Sequence, residues 1–353
     1  MKFSLNPITA KKLRRFRQIR RGFVSFTILA VLIGLSLIAE VLVNSRALIV
    51  RFEGKWYFPT YGAIIPGRTF GLDYDYATNF RELQARLEKE PERGWVLMPP
   101  VPYDPIENCY PGEFFRPRAP SFAERHFLGT DQLNRDVLAR VVYGFRNALI
   151  FAGCYIVLTY LIGVSLGCSM GYFGGRLDLF GQRLIEIWSQ VPFFFVVIIV
   201  ASIVSGLGGM NLGWLLGVVV LFSWTSITWY MRSVTYKEKA RDYVHAAEVI
   251  GAGNTRIIFS HVLPNVISTL VTFAPFSVAA AISALTALDF LGYGLPPPTP
   301  SWGELLRQGT SNLSAPWIVA SAFGALMLVL VLVTFIGEAV REAFDPKKFT
   351  IYR

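Results

Sequence analysis

Few residues in this 353-residue chain have the types and spacing that chemistry requires, and each such constellation is incomplete. The three histidines, His126, His245 and His261, are scattered, and the three cysteines are Cys109, Cys154 and Cys168. No His/Cys pair has metal-ligand spacing, and no disulfide framework emerges. Cys154 and Cys168 lie in one apolar stretch, about 21 Å of helix apart, which is too far for a bridge. A phosphate cradle is missing as well. Gly54-Lys55 lacks the upstream glycine and the following Ser/Thr of a P-loop, and Gly251-Ala252-Gly253 follows no strand and has no third glycine. Glu40 and Glu186 stand at the edges of apolar stretches, where an ion pair or a water contact is expected. A proton or ion path would instead place charges at mid-membrane. The residues point away from catalysis: if the chain moves a solute with ATP, the energy enters through another subunit.

The segment where such energy could enter is 232–265. Good helix formers run from Ala240 to Ile250, with Tyr243, Ala246/Ala247 and Ile250 along one face. Gly251 then permits a sharp turn. Asn254 is the expected N-cap of a second helix, Thr255 to Leu263, which Pro264 should disrupt. This is a helix–turn–helix elbow whose alanines let a partner approach closely. The alternative is an ordinary loop with incidental helicity.

The elements around the elbow must be membrane spans. Hydrophobic residues make up 53% of the chain and charged residues 16%, against about 25% charged in soluble domains. The windows 22–39, 147–175, 187–231, 257–288 and 308–337 contain no Asp, Glu, Lys or Arg. A helix crosses the bilayer with roughly 20 apolar residues. The 45-residue window 187–231 therefore divides at the turn-like cluster Ser205–Asn211. Six spans result: 23–43, 147–170, 184–205, 212–231, 266–288 and 316–337. The first is too long for a signal-peptide core and reads as an uncleaved anchor. Ahead of it, residues 1–22 carry eight basic and no acidic residues, which places this end in the cytoplasm. That basic end needs no nucleic acid to explain it.

The orientation puts segment 44–145 in the periplasm, the coupling loop 232–265 in the cytoplasm, the permease core at 146–338 and the C-terminus, 339–353, inside. In the external segment, Phe80, Leu83 and Leu87 mark an amphipathic helix ended by Pro91, and a second helix is expected from Gln132 to Tyr143, capped by Thr130 or Asp131 and striped by Leu133, Val137 and Val141. Both are expected to pack on the membrane face.

Several stretches carry a resemblance. Tyr243-Val244-His245-Ala246-Ala247-Glu248-Val249-Ile250-Gly251, followed by His261-Val262-Leu263-Pro264, resembles the EAA motif of ABC importer permeases, with His245 and His261 as departures. His126 to Val137, containing Gly129, Thr130, Asp131, Arg135 and Asp136, resembles the H-x-L-G-T-D-x-x-G-R-D signature of the dipeptide/oligopeptide branch, with Asn134 in the glycine position. Gly171–Gly175, Pro297–Gly303 and Arg341–Pro346 also match, and the long segment 44–125 resembles the Yej-type branch. The resemblance implies an all-α type I ABC importer permease fold with six transmembrane helices in the bacterial inner membrane. It implies a permease that moves peptides inward with no catalysis of its own. It also implies partners: a second, often different permease chain, two ABC ATPase subunits or one fused ATPase carrying ATP and Mg, a periplasmic peptide-binding protein and membrane lipid. In the family, residues corresponding to Tyr243, His245, Ala246, Ala247, Gly251, His261, Leu263 and Pro264 form the loop that docks on the ATPase. A nickel or other small-solute importer is the alternative within the branch. An ion-coupled carrier and a membrane-anchored receptor are the alternatives outside it.

Overall fold

The computed structural model describes residues 7–206 and 209–344. Lys2, residues 207–208 of the turn-like cluster, and Asp345-Pro346 with the rest of the C-terminal tail lie outside the described residues. The chain opens with α1 (Pro7–Gln18), α2 (Arg20–Leu37) and the short α3 (Ala39–Leu42). Next come β1 (Ile49–Phe52), β2 (Lys55–Tyr57), α4 (Phe80–Leu87) and β3 (Gly94–Leu97). Residues 98–136 hold no helix, and the described elements after them are helices: α5 (Val137–Phe173), α6 (Gly175–Ser189), α7 (Phe193–Ser205), α8 (Leu212–Lys239), α9 (Asp242–Val249), α10 (Asn254–Arg256), α11 (Leu263–Leu291), α12 (Trp302–Ser311) and α13 (Pro316–Phe344). Five of the described helices are long and apolar enough to cross a membrane, and α6 with α7 makes a sixth candidate.

Several boundaries differ from expectation for identifiable reasons. The span expected at 184–205 is two helices bent by 73°. Pro192 has no N–H to continue the ladder and biases the residue before it away from helix, so α7 starts anew at Phe193. The helix expected from Gln132 starts at Val137 and runs unbroken through the second span. Its cap is Asp136, which accepts from the Ala139 amide at 2.7 Å. Thr130 and Asp131 do not cap it, because Asn134 takes φ +58 and turns the chain before the helix can begin. The first span ends at Leu37 and restarts as α3.

The segment between α3 and α5 is not all helix. A three-stranded antiparallel sheet, ordered β2-β1-β3, pairs Arg51 with Trp56 on one side and Trp95 on the other. Alternation puts Val50 and Phe52 on its inner face, where Phe80, Leu83 and Leu87 of α4 join Phe70 and Met98 in a small core. The amphipathic helix thus packs on a sheet of its own segment instead of on the membrane face. The main apolar core lies among the spans, from Phe145 and Phe151 of α5 through Leu215 and Val219 of α8 to Ile282 and Leu285 of α11 and Val329 and Val333 of α13.

Candidate functional site

The elbow between α8 and α11 forms, with altered joints. Its first helix is α9, two residues shorter than expected at its start. Gly251 takes φ +83, a left-handed conformation that a Cβ disfavours. Asn254 is the first residue of α10 and not its cap, and its Oδ1 accepts from the Tyr172 hydroxyl of α5 at 3.1 Å. Pro264 does not break the chain's course. A π-turn at Ile257–Val262 precedes it, and the helix continues into α11. Proline removes one donor and crowds the carbonyl four residues back, and a widened turn relieves both. Elbow and span are therefore one rod.

An apolar core fastens the elbow to the spans. Val244, Ala247, Ile257 and Val262 pack with Cys168 and Tyr172 of α5, Met231 of α8, and Val266 and Leu270 of α11. Val244, Ile257 and Val262 are fully removed from solvent, and burial of such side chains contributes about 1.5–3 kcal/mol each. Tyr243 donates to Glu238 at 2.9 Å, and Leu263 rests against the core edge. The Lys239 ammonium donates to the Tyr172 carbonyl at 2.7 Å. The outward face is different. His245 and Ala246 are exposed, with His245 Nδ1 3.3 Å from Glu248. The His261 carbonyl accepts from Asn265 at 2.8 Å, and Pro264 is exposed. Val249 and Ile250 are 87% and 83% exposed, with Phe259 open beside the turn. Ile250 is thus on the free surface and not on the packed stripe with Ala247. An exposed apolar patch beside a pinned helix has the form of a docking surface.

Two features behind the elbow escaped the sequence reading. Gly163, Gly167 and Gly171 form a seam along α5 against α8. A Cβ on Gly167 would stand 2.6 Å from both the Met231 Cβ and the Thr228 carbonyl. Small residues four apart are the pattern that lets membrane helices approach closely, so the signal was present in the spacing. Below the seam, Arg232 of α8 forks onto Asp178 of α6, with its second nitrogen 2.6 Å from Oδ2. Glu40 pairs with Arg146 at 2.5 Å and Glu186 with Arg183 at 2.5 Å, as edge positions suggested.

At the opposite end, the 126–137 residues build a buried charge cluster. Asp131 accepts from the Arg135 side chain at 2.8 Å and from the Leu133 and Arg135 amides at 2.9 Å each. Arg135 also reaches Glu304 of α12 at 2.9 Å, and Arg140 pairs with the other Glu304 oxygen. Arg140, fully buried, further donates to the carbonyls of Pro105, Pro298 and Thr299. Burial by itself would lower the Arg135 guanidinium, but the Asp131 and Glu304 carboxylates outweigh it and raise it above its usual value.

Thr130 accepts from the Arg118 amide at 2.8 Å, and the Gly129 carbonyl takes the Val137 amide at 3.0 Å. Asp136 meets His126 Nδ1 at 2.7 Å. These residues stitch the start of α5 to α12 and to the 297–303 loop. The cluster has as many carboxylates as guanidiniums around Glu304, so its charges are spent on one another. Burial pushes the nearby Cys109 thiol well up, reinforced by Glu107 and Asp136, which keeps it protonated and unreactive. Among the described residues no three His, Cys, Asp or Glu side chains converge to hold a metal ion.

Comparison with known proteins supplies the family. The model of the binding-protein-dependent transport system inner membrane component matches residues 163–350. The chain is 41% identical over 347 residues, 98% of both chains, to the inner membrane ABC transporter permease protein YejE of Escherichia coli (strain K12). It is 37% identical to the peptidoglycan transport system permease protein YejE of Agrobacterium fabrum, covering 97% of this chain and 94% of that one. It is 36% identical over 262 residues, 71% of this chain and 85% of the relative, to the dipeptide transport system permease protein DppC of Haemophilus influenzae. An inward-facing structure of the MetNI methionine ABC transporter aligns with 59% of this chain and 96% of its own at 15% identity and a TM-score of 0.49, a likeness too loose to decide anything. On the family model and these relatives, the chain belongs to the binding-protein-dependent transport system inner membrane components, in the Yej-type branch, as a non-catalytic, multi-pass permease subunit of an inner-membrane ABC importer.

Proposed function

We propose that this permease carries peptides from periplasm to cytoplasm, with α9 and its following turn as the surface that receives the ATPase. The relatives named for peptidoglycan and dipeptide transport support the substrate class. One observation carries the mechanism: the elbow is pinned by a single core to α5, α8 and α11, yet leaves Val249, Ile250 and Phe259 uncovered. Swinging a two-state element from 1:99 to 99:1 takes about 5.5 kcal/mol. Three fully buried elbow side chains hold it with about 4.5–9 kcal/mol, a hold of the same order as that push, to which the rest of the shared core adds.

In this reading the basic start of the chain and the tail after α13 are cytoplasmic, and segment 44–145 is periplasmic. The working unit contains a second permease chain, two ATPase subunits or a fused pair, and a periplasmic peptide-binding protein. Arg135, Asp136 and their neighbours hold the periplasmic end of α5 in place and leave contact with the binding protein to exposed residues around them. Ile250→Asp tests the docking surface. Because Ile250 is solvent-facing, insertion and thermal stability should stay unchanged, whereas the ATPase subunits should no longer co-purify and uptake should fall to background. Normal uptake by Ile250→Asp would remove the elbow from the coupling role.

A further inference from the structure

A cavity of about 500 Å³ lies between α8, α11 and α13, lined by Tyr230, Thr272, Phe273, Phe276 and Arg341. Its volume is within the roughly 300–1,000 Å³ of small-ligand sites. Three of its five lining residues are aromatic and one is a cation; no carboxylate lines it. Among the described residues no ion pair involves the Arg341 guanidinium, while Glu338, one turn earlier on α13, is paired with Arg21 at 3.5 Å. The walls are the helices that the elbow would move. Tyr230 borders the elbow core, and its ring stands 4.3 Å from that of Phe273. Pro275 lies inside α11 between Phe273 and Phe276, where the missing amide lets a helix bend. Gly337 of α13 lies directly against Phe276 and Pro275. A push on the elbow travels along Leu263–Thr272 as a rigid rod and reaches the cavity at the proline.

Resting on the peptide reading above, we propose that this cavity is a station on the transport path and that Arg341 receives the C-terminal carboxylate of the peptide, with Tyr230, Phe273 and Phe276 taking an apolar side chain. A guanidinium forks onto a carboxylate with two parallel bonds, and Arg341, in the last turn of α13, is solvent-exposed on the cavity wall, where an entering carboxylate can reach it. The test uses the complete transporter in proteoliposomes with its binding protein saturated, so that loading is equal for a peptide as free acid and as C-terminal amide. The wild type should move the acid about tenfold faster, Arg341→Gln should move both at the amide's rate, and Arg341→Lys should recover part of the preference. ATPase activity of the empty transporter checks that each variant is assembled. Discrimination that persists in Arg341→Gln overturns the proposal. So does an equal loss for both peptides that is cured by changing the anionic lipid content, which would make Arg341 a headgroup anchor. A wild type that moves neither peptide, while hydrolysing ATP, overturns the peptide reading itself.

Discussion

Asn134 shows how one residue can decide a local fold. Its φ of +58 lies where most side chains are strained, and asparagine is among the few that tolerate it. The resembling signature has glycine there, which explains why this position accepts either residue. Its amide also receives the Arg116 N–H at 3.2 Å and donates to Phe114 at 3.3 Å. Asn134→Ala and Asn134→Gly both lose those bonds, but only alanine is strained, so alanine should be the less stable by about 1 kcal/mol in thermal melts of the detergent-solubilised protein. Glu304 is the sharper case. Glu304→Ala leaves Arg135 and Arg140 buried with one carboxylate between them, a change of about 3–5 kcal/mol. It should lower the melting temperature and the yield of inserted protein, while substitution of the exposed Glu124 should do neither.

At the scale of elements, the proposed stroke would depend on one close helix packing and one left-handed turn, the first intolerant of bulk and the second of a Cβ. The α5–α8 seam places backbone against backbone at Gly167. Gly167→Leu should separate the helices and abolish uptake, with α5–α8 disulfide cross-linking from engineered cysteine pairs falling in parallel. Gly251 has open space around it but a left-handed backbone. Gly251→Val should therefore leave insertion intact, tilt α9 relative to α10, and reduce ATPase co-purification and uptake together. Equal uptake by Gly251→Val and wild type would mean that α9 needs no fixed angle.

The whole molecule is a bundle of spans with a separate small domain set into one end. Leu48 and Leu97, at the domain's edges, are joined by a hydrogen bond of 2.9 Å, so the chain enters and leaves at about one strand spacing. Its core shares no residue with that of the spans. Replacing residues 49–96 with a short Gly/Ser link loses the Arg81–Glu107 bridge but should leave insertion, ATPase co-purification and empty-transporter ATP hydrolysis intact. Collapse of all three would show that the small domain is needed to build the spans.

What the amino-acid sequence settled by itself was the presence of the apolar spans and of the helices with the strongest periodicity, and not their caps or breaks. Charge-free windows can only be spans when no other chain covers them, and Phe80, Leu83 and Leu87 repeat with a helical period that needs no partner to be read. The turn at Gly251 and the helix before it were legible for the same reason, since a left-handed residue announces itself by type. Tertiary structure decided what each surface faces. Ile250 has the period of a packed residue yet is exposed, because the core beneath α9 is filled by Val244 and Ala247. Pro264 looked like a stop, but a π-turn absorbed it. Arg135 and Arg140 belong to the segment assigned to the outside, yet Glu304, more than 160 residues later, closes over both. Periodicity reports which residues share a side, whereas partners far along the chain decide whether that side is packed, paired or left open for another protein.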